Sequence, residues 1–183
     1  SSMESTVSRH IEVLRQRLSQ DRAIAEKAIA QLDDEQVNWK ASAGDNSIYN
    51  IVRHLHGNML SRFTDFLDSD GEKSWRDRDG EFSEASATCQ EGLRLGEEGW
   101  KCMEDALAPL RDEDLDRTVT IRGEPHSVFQ AIIRQVSHYA YHIGQIVYIG
   151  KMLKAEDWKT LSVPKGASVK YTREMQDRFR PAQ

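Results

Sequence analysis

The chain has 183 residues, of which 38% are apolar and 30% charged, and a net charge of −5. That length and composition fit one folded domain of about 100–200 residues and exclude collagen-like, proline-rich and disordered classes. With 25 basic against 30 acidic residues, the chain lacks the basic stripe of a nucleic-acid binder, and no run approaches the ~18 consecutive apolar residues of a membrane-crossing helix.

The chain opens without a basic-then-apolar leader, so no signal peptide is expected, and Ser1 and Ser2 before Met3 read as an expression remnant. The first helical pattern runs from about Glu4 to Leu32, with an apolar seam of Ile11, Leu14, Leu18, Ala25, Ile29 and Leu32. Asp33-Asp34 and Ala43-Gly44-Asp45-Asn46 mark the connector. Ser47 is the expected N-cap of a second helix, whose core face is Ile48, Ile51, Val52, Leu55, Met59, Phe63 and Phe66. It ends near Asp68-Ser69-Asp70-Gly71, and a charged loop follows to Phe82. Asp68-Ser69-Asp70-Gly71 and Asp77-Arg78-Asp79-Gly80 lack the closing Glu of a calcium loop and read as turns.

A third helix is expected over Ser83–Leu110, with Cys89, Leu93, Gly96, Trp100, Met103 and Leu107 on one face. Gly92, Gly96 and Gly99 fall on or beside that face and leave two readings open, a close approach by another helix or a frayed helix. Thr118–Ile121 followed by Arg122-Gly123-Glu124-Pro125 reads as an extended loop or small hairpin. The fourth helix opens on Ser127-Val128-Phe129-Gln130, which has capping-box form, and runs to about Leu153. The last 30 residues, with Trp158, Leu161 and Val163, form an arm over the rest, with a short helix near the end. The expected class is all-α, a four-helix bundle with a C-terminal arm, in one domain over 4–170 with a tail over 171–183.

Cys89 and Cys102, 13 residues apart, form neither a CxxC motif nor a secreted framework, and point to reduced thiols in a cytoplasm. The histidines carry more. His138 and His142 stand four residues apart on the fourth helix, so their rings share one face and can offer two nitrogens to one metal. On a helical wheel one stripe of this helix holds Phe129, Ile132, Ile133, Val136, Ala140, Ile143 and Val147. The opposite stripe holds Val128, Ala131, Gln135, His138, His142, Ile146, Ile149 and Leu153. A helix apolar nearly all round is covered on both sides, so one stripe is expected to face the core and the other a second copy in a two-fold dimer. A cover by the arm or the long loop is the alternative. A third ligand from the second helix can be His54 or His56, and periodicity leans to His56.

Ser47-Ile48 with Ile51-Val52-Arg53-His54-Leu55 resembles the first histidine motif of the DinB/YfiT-like superfamily. His138-x-x-x-His142-Ile143-Gly144-Gln145 resembles its second. Gly57-Asn58-Met59, Asp70-Gly71-Glu72-Lys73, Trp75 to Phe82 and Leu161-Ser162-Val163-Pro164-Lys165-Gly166 are similar to one bacterial branch of it. The resemblance runs from the first helix to about Lys170. It implies a dimeric four-helix bundle in which His54, rather than His56, joins His138 and His142 around a divalent metal, with His10 and His126 as surface residues. Some relatives are thiol-dependent S-transferases and others resemble metal-dependent hydrolases, so the resemblance implies a metal site but no single reaction.

The expected function is a metal-dependent enzyme, with Zn²⁺ or Ni²⁺ on three histidines and open positions for a small-molecule or thiol substrate. Gln145, one turn after His142, and Asn58, one turn after His54, are candidates to orient a ligand histidine or the substrate. Tyr139 and Tyr141 are weaker pocket candidates, and no Asp or Glu stands out as a general base. A non-catalytic metal-binding or stress-response protein is the alternative.

Overall fold

The computed structural model describes residues 9–183, so the expected helical start over 4–8 lies outside the described residues. The described chain is 64% helical, with six α-helices and a small two-stranded sheet. The helices are α1 (Arg9–Ala30), α2 (Asp34–Asn38), α3 (Ile48–Phe63), α4 (Cys89–Leu107), α5 (Val128–Lys154) and α6 (Ser168–Arg178). Strands β1 (Thr118–Ile121) and β2 (Glu124–Ser127) pair antiparallel, with Thr118 opposite Ser127.

Caps set the helix starts. Ser47 Oγ accepts from the Asn50 amide, and the Asn50 side chain accepts from the Ser47 amide. Ser127 and Gln130 close the same reciprocal box at α5, an arrangement worth about 1 kcal/mol. The sequence misses α2, which Asp33 and Gln36 cap in the same way. The third long helix starts at Thr88 rather than Ser83. Side chains hold the segment before it extended, since Asn50 Nδ2 donates to Ser83 O and Asn38 bonds both the amide and the carbonyl of Ala87.

α3 lies along α4 and α1 along α5, while α1 also meets α4 and α3 meets α5. The expected seams of α1 and α3 are buried at every position. Fully buried Leu18, Ile48, Met59, Leu107, Ile132 and Ile146 fill the centre. Each such aliphatic side chain contributes about 1.5–3 kcal/mol of burial. Of the three glycines in α4, Gly99 meets α3 closely, with a Cβ there lying 3.3 Å from His56 Cα. Gly92 and Gly96 have no such neighbour within 4 Å.

α5 is rotated from the expected setting. Its buried stripe is Val128, Ala131, Ile132, Gln135, Tyr139, Ile143, Ile146 and Gly150, which runs between the two stripes of the wheel. The loop from Asp65 to Phe82 reaches His54 of α3, beside the α5 histidines, through Glu81 and Phe82, with Arg76 holding Glu81. Phe129 and Ile133, expected to be covered by the core or by a second copy, are 44% and 42% exposed in the single chain, and Tyr141, Tyr148 and Met152 are exposed with them.

The hairpin turn is Arg122-Gly123, with φ of 52° and 80°, the two positive values of a type I′ turn. Asp70 clamps it, accepting from the amides of Arg122 and Gly123 at 2.9 and 2.8 Å and from that of Glu72 at 2.8 Å. Asp77 Oδ1 similarly accepts from the Gly80 amide, so both acidic strings serve as turns. After α5, Trp158 packs on Gly150, where a Cβ would lie 3.1 Å from the indole. Gln31 holds Lys159 by both its amide and its carbonyl. α6 follows as the expected short helix, but it buries no residue.

Candidate metal centre

α3 and α5 bring three imidazoles to one point. His54 stands on the buried side of α3, while His138 and His142 follow one another by a turn on α5. His138 Nε2 lies 3.0 Å from His54 Nε2 and 3.1 Å from His142 Nε2. The three ligand nitrogens all fall within 4.8 Å of one another.

The outer nitrogens are held from behind. His54 Nδ1 lies 2.9 Å from Glu81 Oε1, and His142 Nδ1 lies 2.8 Å from Gln145 Oε1. A carboxylate only accepts, so His54 Nδ1 carries the proton and Nε2 presents its lone pair. Gln145 Oε1 selects the same tautomer for His142. Glu81 is held in turn by Arg76, whose Nε and second terminal nitrogen each donate at 3.0 Å. The arrangement needs Gly57, because a Cβ there would sit 2.0 Å from Glu81 Oε2.

Two bare lone pairs, on His54 and His142, thus face His138 Nε2, which can donate at most one proton. At least one lone pair is left without a donor among the three rings, and a divalent cation accepts all of them. Zinc–nitrogen bonds of about 2.0–2.1 Å at the tetrahedral angle separate their nitrogens by about 3.3–3.4 Å. Two of the three separations, 3.0 and 3.1 Å, lie within a few tenths of that, and all three nitrogens fall within 4.8 Å of one another, so these three imidazoles could hold such an ion. The electrostatics agree. Burial pushes His138 down to about 3, with His142 and His54 beside it adding to the shift. Burial also lowers His142, against the hydrogen bond to Gln145. Both rings are therefore neutral at pH 7, the protonation state of a metal ligand. Burial pushes the Glu81 carboxyl up, but hydrogen bonds from His54 and Arg76 outweigh it and hold the pKa below its ordinary value.

Residues 5–167 match the family described as "Protein of unknown function (DUF1572)". The chain belongs to that family. No curated protein matches it.

In this DUF1572 member the other histidines stand apart from the triad. His56 points to the opposite side of α3, its Nε2 lying 3.2 Å from Glu98. His10 bonds Asp112 at the surface. His126, expected at the surface, is only 17% exposed and lies 3.7 Å from Glu124. Asn58 is buried and accepts from the Tyr139 hydroxyl at 2.7 Å. Burial raises the Tyr139 hydroxyl far above its ordinary pKa, so it stays a donor there. Asn58 and Tyr141 line a cavity of about 620 Å³ whose walls include His54 and His138. Sequence reading misses Glu81 and Arg76. They sit in a loop with no periodicity, marked only by its charge and by the resemblance of the Trp75–Phe82 stretch, neither of which assigns them a role.

Proposed function

We propose that this chain is a metal-dependent enzyme built on a DinB/YfiT-like four-helix bundle, with α1, α3, α4 and α5 as its four helices in one domain over 4–170. His54, His138 and His142 hold a divalent ion, zinc or nickel. The observation that carries this reading is the convergence of three imidazole nitrogens beside an open cavity, with the outer nitrogens of His54 and His142 fixed by Glu81 and Gln145. Three protein ligands leave positions for substrate, the pattern of a catalytic site rather than a structural one. When bound, such an ion supplies Lewis acidity, which brings a water or thiol beside it toward ionisation at neutral pH.

The chain's own groups have separate tasks. Glu81 and Arg76 fix the ring of His54, and Gln145 that of His142, so Gln145 is a positioning residue. Asn58 presents the cavity with a side chain locked by Tyr139. Among the described residues no Asp or Glu lines the cavity, and Glu81 is committed to His54 and Arg76, which supports thiol S-transfer over hydrolysis assisted by a carboxylate base.

A second copy of the chain is the proposed partner. Phe129, Ile133, Tyr141, Tyr148 and Met152 make α5 apolar on its uncovered side, and a two-fold contact closes that face on itself. The free thiols of Cys89 and Cys102 support a reducing, cytoplasmic setting.

Metal analysis of untagged protein tests the reading. One equivalent of zinc or nickel per chain is expected after loading, and almost none in a His138→Ala variant that keeps its helical circular dichroism. Wild type that takes up well under one equivalent overturns the site. A His138→Ala chain that unfolds instead favours a non-catalytic, structural metal.

A further inference from the structure

Among the described residues the cavity beside the triad is lined by five arginines, Arg62, Arg76, Arg78, Arg122 and Arg134, and by no carboxylate. They come from α3, the covering loop, the hairpin turn and α5, so the fold gathers what the sequence scatters. A chain of net charge −5 thereby concentrates a fifth of its basic residues on one concave wall.

The internal neutralisation is partial. Arg62, Arg76 and Arg122 share Glu72 Oε2 at 3.1, 3.2 and 2.9 Å. Arg76 also pairs with Glu81. Two carboxylates therefore serve three guanidinium groups. Arg78 stacks on Phe82, with its guanidinium carbon 5.5 Å from the ring centre. Neither Arg78 nor Arg134 has a carboxylate partner among the described residues. Two polar atoms on the cavity-lining residues, Arg62 Nε and Gln135 Oε1, are buried without a hydrogen-bond partner among the described residues. Gln135 is 2% exposed, so the fold places an amide in its interior that nothing in the described chain uses.

We infer that this cavity binds a small anionic substrate and holds its carboxylate or phosphate group on the arginine wall. Guanidinium groups offer forked donors that match an oxyanion in shape as well as charge. A volume of about 620 Å³ lies within the range of about 300–1,000 Å³ common for small-molecule sites. The same wall includes His54 and His138, so an anion anchored on it lies beside the triad. Gln135, Ser137 and Tyr141 supply neutral polar contacts for the rest of the molecule. That the anion is a substrate rests on the reading of His54, His138 and His142 as the reactive centre. That it binds does not.

Calorimetric titration of the full chain at low salt tests this, with inorganic phosphate and succinate as probes, on zinc-loaded and chelator-treated samples. The two arginines without carboxylate partners are removed together, as Arg78→Ala with Arg134→Ala, and Arg173→Ala on α6 is the control. At least one probe is expected to bind at one saturable site per chain, with or without zinc. Its affinity should fall about tenfold or more in the double variant and hold in the control. Tighter phosphate identifies the anchored group as a phosphoryl, tighter succinate as a carboxylate. No saturable binding of either probe at millimolar concentration, or equal affinity in the double variant, overturns the inference. Zinc content of the same samples separates the two readings. Anion binding without zinc uptake removes the metal centre and keeps the anion site, and zinc uptake without anion binding does the reverse.

Discussion

Glu81 shows how one side chain outside any periodic pattern can set a centre. It reaches His54 from 27 residues away in sequence, and it sets which nitrogen of the His54 ring faces the other two histidines. Glu81→Ala should weaken zinc binding by about 10- to 100-fold, the usual cost of losing the partner of a ligand histidine, and Glu81→Gln should recover part of it, because its amide oxygen can accept from His54 Nδ1 as Gln145 does from His142. Competition with a chromophoric chelator measures it, and unchanged affinity would show that Glu81 only packs. Gly57→Ala tests the same bond from the other side. Its new methyl meets the end of a flexible carboxylate, so Glu81 can swing away and the loss should appear in zinc affinity more than in stability. Sequence alone brings His138 and His142 together because a helix repeats by turns. It leaves His54 against His56 open, because a wheel cannot fix the rotation of α3. Gly99 and the Glu81 loop decide it, by taking the two sides of that helix.

Among the elements, the β1–β2 hairpin is small but holds Arg122 at the cavity, and Asp70 holds the hairpin. Backbone amides of Glu72 and Gly123, then Arg122, lower the Asp70 carboxyl well below its ordinary range. A carboxyl with a lower pKa folded than unfolded stabilises fully above its unfolded value of about 3.9 and loses that contribution as pH falls through the folded value. Urea midpoints of wild type should therefore drop more steeply from pH 5 to pH 3 than those of Asp70→Asn, which should start lower at pH 7. Parallel profiles would mean that the clamp contributes nothing. Capping chemistry makes the starts of α3 and α5 legible at Ser47 and Ser127. The start of α4 is not legible, because helical spacing continues back to Ser83 while Asn38 and Asn50, distant in sequence, hold that segment extended. The rotation of α5 is hidden for a similar reason. Apolar residues nearly encircle it, so periodicity has no single direction, and tertiary contacts bury Tyr139 while leaving Phe129 outside.

At the scale of the whole molecule, the uncovered apolar side of α5 and the metal centre make separate claims. Light scattering at micromolar concentration should give twice the chain mass. Ile133→Glu with Tyr148→Glu should give the chain mass with the helical signal intact, whereas a wild-type monomer would remove the proposed partner. A ligand present at 100 times its dissociation constant stabilises by about 2.7 kcal/mol, so chelation should lower the calorimetric midpoint by about 5–10 °C. The far-ultraviolet spectrum should not change, because the core of α1, α3, α4 and α5 closes without the ion. A chain that unfolds on chelation would instead make the metal a structural part. The central claim is that three histidines, and no carboxylate of this chain, bind the ion. X-ray absorption at the zinc edge of the loaded wild-type protein tests it most directly. Three imidazole nitrogens at about 2.0–2.1 Å are predicted, and a shell with fewer than three imidazoles, or with a carboxylate oxygen of the chain in place of one, would contradict the account.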